Sequence, residues 1–438
     1  MKRLKKLLLL SIAIFSLTIC SMIKVEPITL VTQINIVETE IEEVLEERLA
    51  DLEKSEELER QLEKERLIEL ERLTELERLA EIERLAEMER LAEMERLAEI
   101  ERLAEIERLA EIEELVKIQE STSQTTLSEG MYRSELTNEL ISETIKNQRP
   151  IAVMIDNESS ALPHYGLSQV DIVYEMMNST ANNRITRLMV LVKDWGQIEQ
   201  LGSIRSARTT NCLLVAGWNA ILCHAGGPYY IDEYLAQDYI SNFDGTFSRL
   251  ANGKATEFTL YITKGDLESS LASKSNVSRT YTSTYEDAHF QFTSEENPVY
   301  LENATSVKEI QFPFPHNSST LTYNETTKLY EYSVYGTVHI DPGNNNARLA
   351  FKNVIIQECP FTLLDDNGYM SFHVIGKREL GYYITNGSAI PILWEKKSET
   401  TPTKYYSLET GREITLNTGK TYIGLVPSDN WNDLILVP

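Results

Sequence analysis

Between positions 67 and 118 apolar residues recur at every third position (Leu79, Ile82, Leu85, Met88, Leu91), set in a hexad such as Glu83-Arg84-Leu85-Ala86-Glu87-Met88. At about 100° per residue a step of three falls about 60° short of a turn, so the apolar stripe circles the helix once in roughly 18 residues. A two-stranded coiled coil requires alternating steps of three and four. The pattern therefore predicts a helical rod over 38–118 with no fixed partner face, either alone or associating without a defined register. Each arginine has a glutamate three residues before it and another three after, as Glu81 and Glu87 flank Arg84. That spacing braces a helix, and Glu, Arg, Leu and Ala are all strong helix formers. Neither Gly nor Pro occurs between Ile28 and Gly130. A six-residue apolar period also occurs in β-solenoids, but the Gly, Asn and β-branched turn chemistry of those folds is missing. A helix from 38 to 120 would be on the order of 120 Å long, and its near-identical hexads read as a spacer.

After a polar linker over 119–148 the periodicity changes. From 149 to 296, short apolar strands (151–155, 171–177, 185–192, 220–223, 260–262) alternate with amphipathic helices (207–215, 229–236), the pattern of an α/β domain. From 297 to 438, strands at 330–340, 353–358, 370–375, 381–385, 389–394 and 421–426 are separated by turns such as Asp341-Pro342-Gly343, Asp366-Asn367-Gly368 and Asn417-Thr418-Gly419. The expected fold class is α+β: a long N-terminal charged helix, an α/β domain, then a mostly antiparallel β domain.

The first 23 residues place Lys2, Arg3, Lys5 and Lys6 ahead of an uncharged apolar run over 7–23, the pattern of an export signal or membrane anchor. Leu17-Thr18-Ile19-Cys20 resembles a lipobox, with Ile19 where a small residue is usual, so lipidation at Cys20, an uncleaved anchor and simple cleavage all fit. The expected location is the extracellular face of the cell membrane. Net charge is −26, of which 31 acidic and 13 basic residues between Glu38 and Glu120 account for −18. That balance argues against nucleic acid as a partner. Four cysteines make no disulfide scaffold. Cys212, Cys223 and Cys359 read as buried thiols, with a Cys212–Cys223 bridge the alternative. No metal-ligand spacing is present, and no cofactor is expected.

Site-like chemistry concentrates in Gly202-Ser203-Ile204-Arg205-Ser206-Ala207-Arg208 and His224-Ala225-Gly226-Gly227-Pro228. Ser206 is placed to cap the helix that follows. Arg205 and Arg208, three apart at that helix start, form a receptor for a carboxylate or phosphate unless one pairs internally with Glu175 or Asp171. Gly226 and Gly227 sit in a turn at the end of a strand, the usual mouth of an α/β site. His224 is the histidine with a site-like setting; His164, His289, His316, His339 and His373 sit apart in sequence. Glu175 and Asp156 are the carboxylates for acid or base work, but no nucleophile elbow or complete catalytic signature accompanies them.

These residues carry a resemblance. Arg149–Asn157, Gly166–Glu175, Ile185-Thr186-Arg187, Gly202–Arg208 and His224–Gly227, with Gly411–Ile423 and Val426-Pro427 near the C-terminus, resemble the YerB-like family of Gram-positive exported lipoproteins. The resemblance implies an envelope location and a two-domain build covering nearly everything after Arg149, and it supplies no reaction. The hexad rod lies outside it. Phe258 stands where the resemblance leads one to expect a histidine beside Leu260-Tyr261. The expected function is a membrane-tethered protein binding an anionic wall component or partner protein. The alternatives are a wall hydrolase or transferase using Glu175 or His224, and an envelope scaffold acting through the long helix.

Overall fold

The computed structural model describes residues 27–123, 130–376 and 378–438; the export segment with Cys20, and residues 124–129 of the linker, lie outside the described residues. The chain divides into two compact units, with the break after Ser123.

The first unit is one helix, Pro27–Ser123, of 97 residues. It outruns the expected 38–118 at both ends because nothing in the sequence breaks it before Gly130, and Pro27 suits a first helical position. At about 1.5 Å per residue it is about 145 Å long. The stripe faces water: Leu73 at 50% and Ile68 at 65% bracket the exposure of the large apolar side chains from Leu67 to Ile100. Arg72–Glu69 (3.6 Å), Arg84–Glu81 (3.8 Å) and Arg102–Glu99 (3.5 Å) show the expected i,i+3 pairing. Being solvent-exposed, each pair contributes little, and the helix rests on their number and on residue propensity. No described helix is long and apolar enough to cross a membrane.

The second unit is built on a mixed sheet of eleven strands, five from before residue 297 and six from after it. Its central order is Ser388–Glu395, Glu379–Thr385, Asn353–Cys359, Thr421–Pro427, Ile172–Met177, Thr186–Val192, Ile151–Asp156, Ile221–His224, Ser241–Asp244. The halves meet where Thr421–Pro427 runs parallel to Ile172–Met177 on one side and to Asn353–Cys359 on the other. Both central strands are buried at every position, as expected of strands covered on two faces. One face packs Val153, Val173, Leu188 and Tyr422 with Leu321, Tyr330 and Tyr332 of a second, six-stranded sheet. The other packs Met154, Tyr174, Met189 and Leu222 against Leu213, Leu214 and Trp218 of the helix Thr209–Trp218. The architecture is α+β. The helix expected over 229–236 is a 3-10 turn, Tyr229–Ile231, and a single α turn, Asp232–Leu235.

Cys212, Cys223 and Cys359 are free and buried. Cys223 packs into one core and Cys212 into the other, on opposite faces of the sheet, which rules out a bridge between them.

Buried polar contacts tie the halves together. Asp341, at the expected Asp-Pro-Gly turn, accepts the Gly166 N–H (3.1 Å), the Ser168 N–H (3.0 Å) and the Ser168 hydroxyl (2.7 Å). His164 Nε2 lies 2.6 Å from the Asp156 carbonyl, and its Nδ1 lies 3.0 Å from His339 Nε2. A carbonyl only accepts, so His164 carries its proton on Nε2 and His339 donates from Nε2. Both rings are neutral: burial pushes His164 down to about 4, and burial with the neighbouring His164 pushes His339 down to about 3.

Two predictions follow from these contacts. A fragment spanning 27–123 sediments as a monomer, and its helical circular-dichroism signal fades gradually on heating and weakens in 1 M salt; a stable dimer at equilibrium contradicts the rod. For the histidine pair, a folded pKa below the unfolded 6.5 means the unfolded chain binds the extra protons. Their contribution is present above pH 6.5 and lost as pH falls towards 4, by up to about 1.4 kcal/mol per pH unit for each ring. Urea midpoints between pH 6.5 and 5 show a steep decline that is shallower in His339→Asn.

Candidate functional site

Alternation along the strands decides which side chains can meet. On Ile151–Asp156, Ala152 and Met154 enter the helix-side core, and Asp156 shares their parity. Arg187 lies directly opposite Asp156 in the antiparallel register and shares the parity of Met189 and Leu191. Both are buried, Asp156 at 2% and Arg187 at 7% exposure.

Beyond residue 153 the parallel strands Ile151–Asp156 and Ile221–His224 separate, and residues 203–207 fill the gap. Arg205 N–H donates to the Met154 carbonyl (2.9 Å), and Asp156 N–H to the Ser203 carbonyl (3.0 Å). On the other side Ala225 N–H donates to the Arg205 carbonyl (3.0 Å), and Ala207 N–H to the Gly226 carbonyl (3.1 Å). This wedge carries Arg205 and Arg208 to the C-terminal ends of two parallel strands, where open sheets collect ligands.

Three guanidinium groups gather there. Arg205 Nε lies 2.5 Å from Asp156 Oδ2, and its Nη2 lies 3.2 Å from Glu257 Oε2. Arg187 donates to the Ser206 carbonyl (2.8 Å) and Arg208 to the Ala207 carbonyl (2.9 Å). Neither of these two has a carboxylate partner among the described residues. Burial pushes Arg187 down to about 9, helped by Arg208; burial also lowers Arg208, with Arg205 adding to the effect. The guanidinium of Arg208 lies 4.7 Å from the Tyr369 ring, and that of Arg205 lies 5.7 Å from the Phe258 ring. The residue at which this chain departs from the resemblance is thus part of the arginine cluster's wall.

Tyr369 is delivered by the later half of the chain. Thr180 N–H donates to the Gly368 carbonyl (2.9 Å), and the Ser179 hydroxyl to the Asn367 carbonyl (3.2 Å). Gly368 has φ +82°, and a Cβ there would come within 2.7 Å of Ser179 Oγ and Thr180 Oγ1. The Asp366-Asn367-Gly368 turn therefore needs its glycine to reach this position.

The other expected site residues fall differently. Ser206 is no helix cap: the helix begins at Thr209, Asn211 Oδ1 accepts the Arg208 N–H (2.7 Å), and the Ser206 hydroxyl donates to the Ala225 carbonyl (2.9 Å). Gly226 N–H donates to Asp244 Oδ1 (2.6 Å), and a Cβ on Gly227 would meet Ile231 Cδ1 at 2.2 Å, so both serve the turn. His224 is fully buried, with Nδ1 donating to the Gly226 carbonyl (2.9 Å).

Neither arginine pairs with Glu175 or Asp171. Glu175 lies on the opposite face of the sheet, fully buried, accepting from Asn157 Nδ2 (3.1 Å) and the hydroxyls of Thr186 (2.6 Å), Ser319 (2.7 Å), Tyr332 (3.0 Å) and Tyr422 (2.7 Å). Burial raises its carboxyl and these donors pull it back. Asp171 accepts the Lys193 N–H (2.6 Å), and burial pushes it up to about 7.

Sequence reasoning missed Arg187 and Tyr369 as members of the cluster. A readable signal existed for Arg187, as an arginine leading into the apolar run 188–192; none existed for Tyr369, which arrives through long-range packing. Replacing Glu175 by Ala strands five donors in the core and lowers stability by on the order of 3 kcal/mol, measurable by urea titration, while Glu175→Gln loses less.

Comparison with known proteins places the chain. Residues 136–278 match the N-terminal domain, and residues 310–423 the C-terminal domain, of a protein family of unknown function, DUF3048. The rod lies outside both matches. "Putative lipoprotein YerB" of Bacillus subtilis (strain 168) is 24% identical over 315 residues, covering 67% of this chain and 86% of that protein. The crystal structure of the YerB protein from Bacillus subtilis superposes with a TM-score of 0.59 at 20% identity, over 70% of this chain and 99% of that one. With both domains present in order on one continuous sheet, the chain belongs to the two-domain DUF3048 family of unknown function and is a homologue of YerB.

Proposed function

We propose that this chain is a membrane-tethered protein of the extracellular envelope that binds a carboxylate or phosphate group, on a wall component or a partner protein, at Arg187, Arg205 and Arg208. The observation that carries the reading is unbalanced charge in a confined place. Three guanidinium groups face two carboxylates, Asp156 and Glu257, and Arg205 engages both. Around them, Arg187 Nε, Arg208 Nε and Thr209 Oγ1 are buried without a hydrogen-bond partner among the described residues. Buried polar atoms are normally satisfied, and a group of unpaired donors beside a helix start fits an anion there.

An oxyanion between Arg187 and Arg208 accepts charge-assisted hydrogen bonds from both and offsets their mutual repulsion. Tyr369 and Phe258 flank the guanidinium groups and fix their orientation, while Asp156 holds Arg205 in place. The long helix gives the tethered domain reach. Acid or base work by Glu175 has no support, because its carboxylate is fully buried on the other face of the sheet.

The test is calorimetric titration of the 124–438 unit with inorganic phosphate and phosphorylated wall-polymer fragments that carry no carboxylate, at low and high salt. Affinity falls as salt rises, and Arg208→Met loses about 10-fold or more, equivalent to about 1.4 kcal/mol. Unchanged affinity in a double Arg205→Ala, Arg208→Ala variant overturns the reading.

A further inference from the structure

A groove of about 420 Å³ lies at the other end of the central sheet, lined by Tyr300, Tyr323, Lys328, Lys352, Asn386 and Thr418 among others. Asn353 and Ile172 both pair with Thr421, so residues 352 and 418 stand at the N-terminal ends of the parallel strands, whereas the arginine cluster lies beyond their C-terminal ends. Six or seven residues of strand separate the two, roughly 20 Å. The groove is a separate place.

Its volume is within the roughly 300–1,000 Å³ of small-ligand sites, and its lining is of two kinds. Tyr300 presents an aromatic ring at 73% exposure, far more than a packing role requires. Tyr323 is a fixed wall, with its ring 5.0 Å from Tyr330 and Gly387 so close that an added Cβ would meet Tyr323 Cε1 at 3.0 Å. Two cations, Lys328 and Lys352, share the lining with these rings. Lys352 donates to the neutral Asn386 amide oxygen (2.6 Å) and has no carboxylate partner among the described residues. Its stem lies over Gly419, where a Cβ would approach Lys352 Cβ to 2.8 Å. Burial lowers the Lys352 ammonium, and Lys328 nearby lowers it further. Glu295, the acid in the lining, stands 3.7 Å from Arg133.

An open aromatic ring, amide and hydroxyl groups beside it, and a lysine held without a carboxylate partner among the described residues are the complements of one ligand class. A sugar ring offers an apolar C–H face to stack and a rim of hydroxyl groups to bond, and an acidic sugar adds the charge that Lys352 lacks. We propose that this groove binds an acidic oligosaccharide, stacked on Tyr300 with its carboxylate towards Lys352 and Lys328. The site is independent of the arginine cluster.

The experiment titrates the full-length protein in detergent with the disaccharide N-acetylglucosaminyl-N-acetylmuramic acid, and with chitobiose, which lacks the carboxylate. The acidic disaccharide binds saturably and at least 10-fold tighter than chitobiose; Lys352→Met weakens it about 10-fold and Tyr300→Ala about 5-fold, while the double Arg205→Ala, Arg208→Ala variant binds it unchanged. Tyr300 is exposed, so its variant keeps the wild-type melting temperature and serves as the fold control. No saturable binding, equal affinity for chitobiose, indifference to both groove variants, or loss of binding in the arginine variant each overturns the proposal.

Discussion

The parallel pairing of Thr421–Pro427 with Ile172–Met177 governs most of what the compact unit does. It brings a strand from the last twenty residues against one from the first domain, so neither family domain completes its sheet alone. Parallel neighbours need both faces covered, and the two cores supply that cover from different parts of the chain. The helix Thr209–Trp218 closes one face, and a second sheet built from later strands closes the other. The buried links between halves follow from this shared sheet. Asp341 meets Gly166 and Ser168, His339 meets His164, and Tyr332 and Tyr422 meet Glu175. Each joins residues more than 150 positions apart, so each depends on the pairing being made first.

The same sheet sorts the charged residues. Strand alternation with a period of two sends Glu175 to one face and Asp156 with Arg187 to the other, although all three belong to adjacent strands. From the sequence alone Glu175 and Asp156 look interchangeable as carboxylates, because both close apolar runs. Their surroundings differ completely. Glu175 is saturated with neutral donors and sealed, whereas Asp156 meets a cation that other groups also approach. The strands themselves were legible because 151–155 and 188–192 are unbroken apolar runs and 172–177 is apolar but for Glu175, all of β-rich composition. The rod was legible because its period is explicit. Short strands such as Ser241–Asp244 and Lys404–Ser407 carry too few apolar residues to announce themselves. The mixed topology was illegible because strand order is a long-range property that local periodicity does not encode.

Part of the arginine cluster was legible too, through the paired Arg205 and Arg208 ahead of an apolar stretch. The reason offered for Ser206 was wrong in detail, since a cap is argued from one local position while the hydroxyl found a carbonyl nineteen residues away. What local reading could not supply was the ring from Tyr369, or the meeting of Arg187 with the other two arginines, both set by contacts across the sheet and between the halves. The splaying of strands Ile151–Asp156 and Ile221–His224 likewise needs the inserted residues 203–207, and nothing in either strand's sequence forecasts it.

The arginine cluster is hard to justify as a fold-stabilising device. Removing a guanidinium from water is expensive unless it is paired and fully hydrogen-bonded, and a buried ion pair at best roughly balances its desolvation. Arg187 is buried beside a second arginine, with a carbonyl contact and an unpartnered Nε. Apolar residues of similar size would fill the same volume without that penalty. On the same face of these strands the positions further into the core are apolar, as Met154, Met189 and Leu191 show. Departures of this kind from local consistency concentrate where a protein binds or reacts. In a chain with a net charge of −26, a confined surplus of positive charge also sets this place apart from the acidic background field, which repels anions. The cost of the cluster as it stands and the anion selectivity proposed for it therefore have the same physical origin.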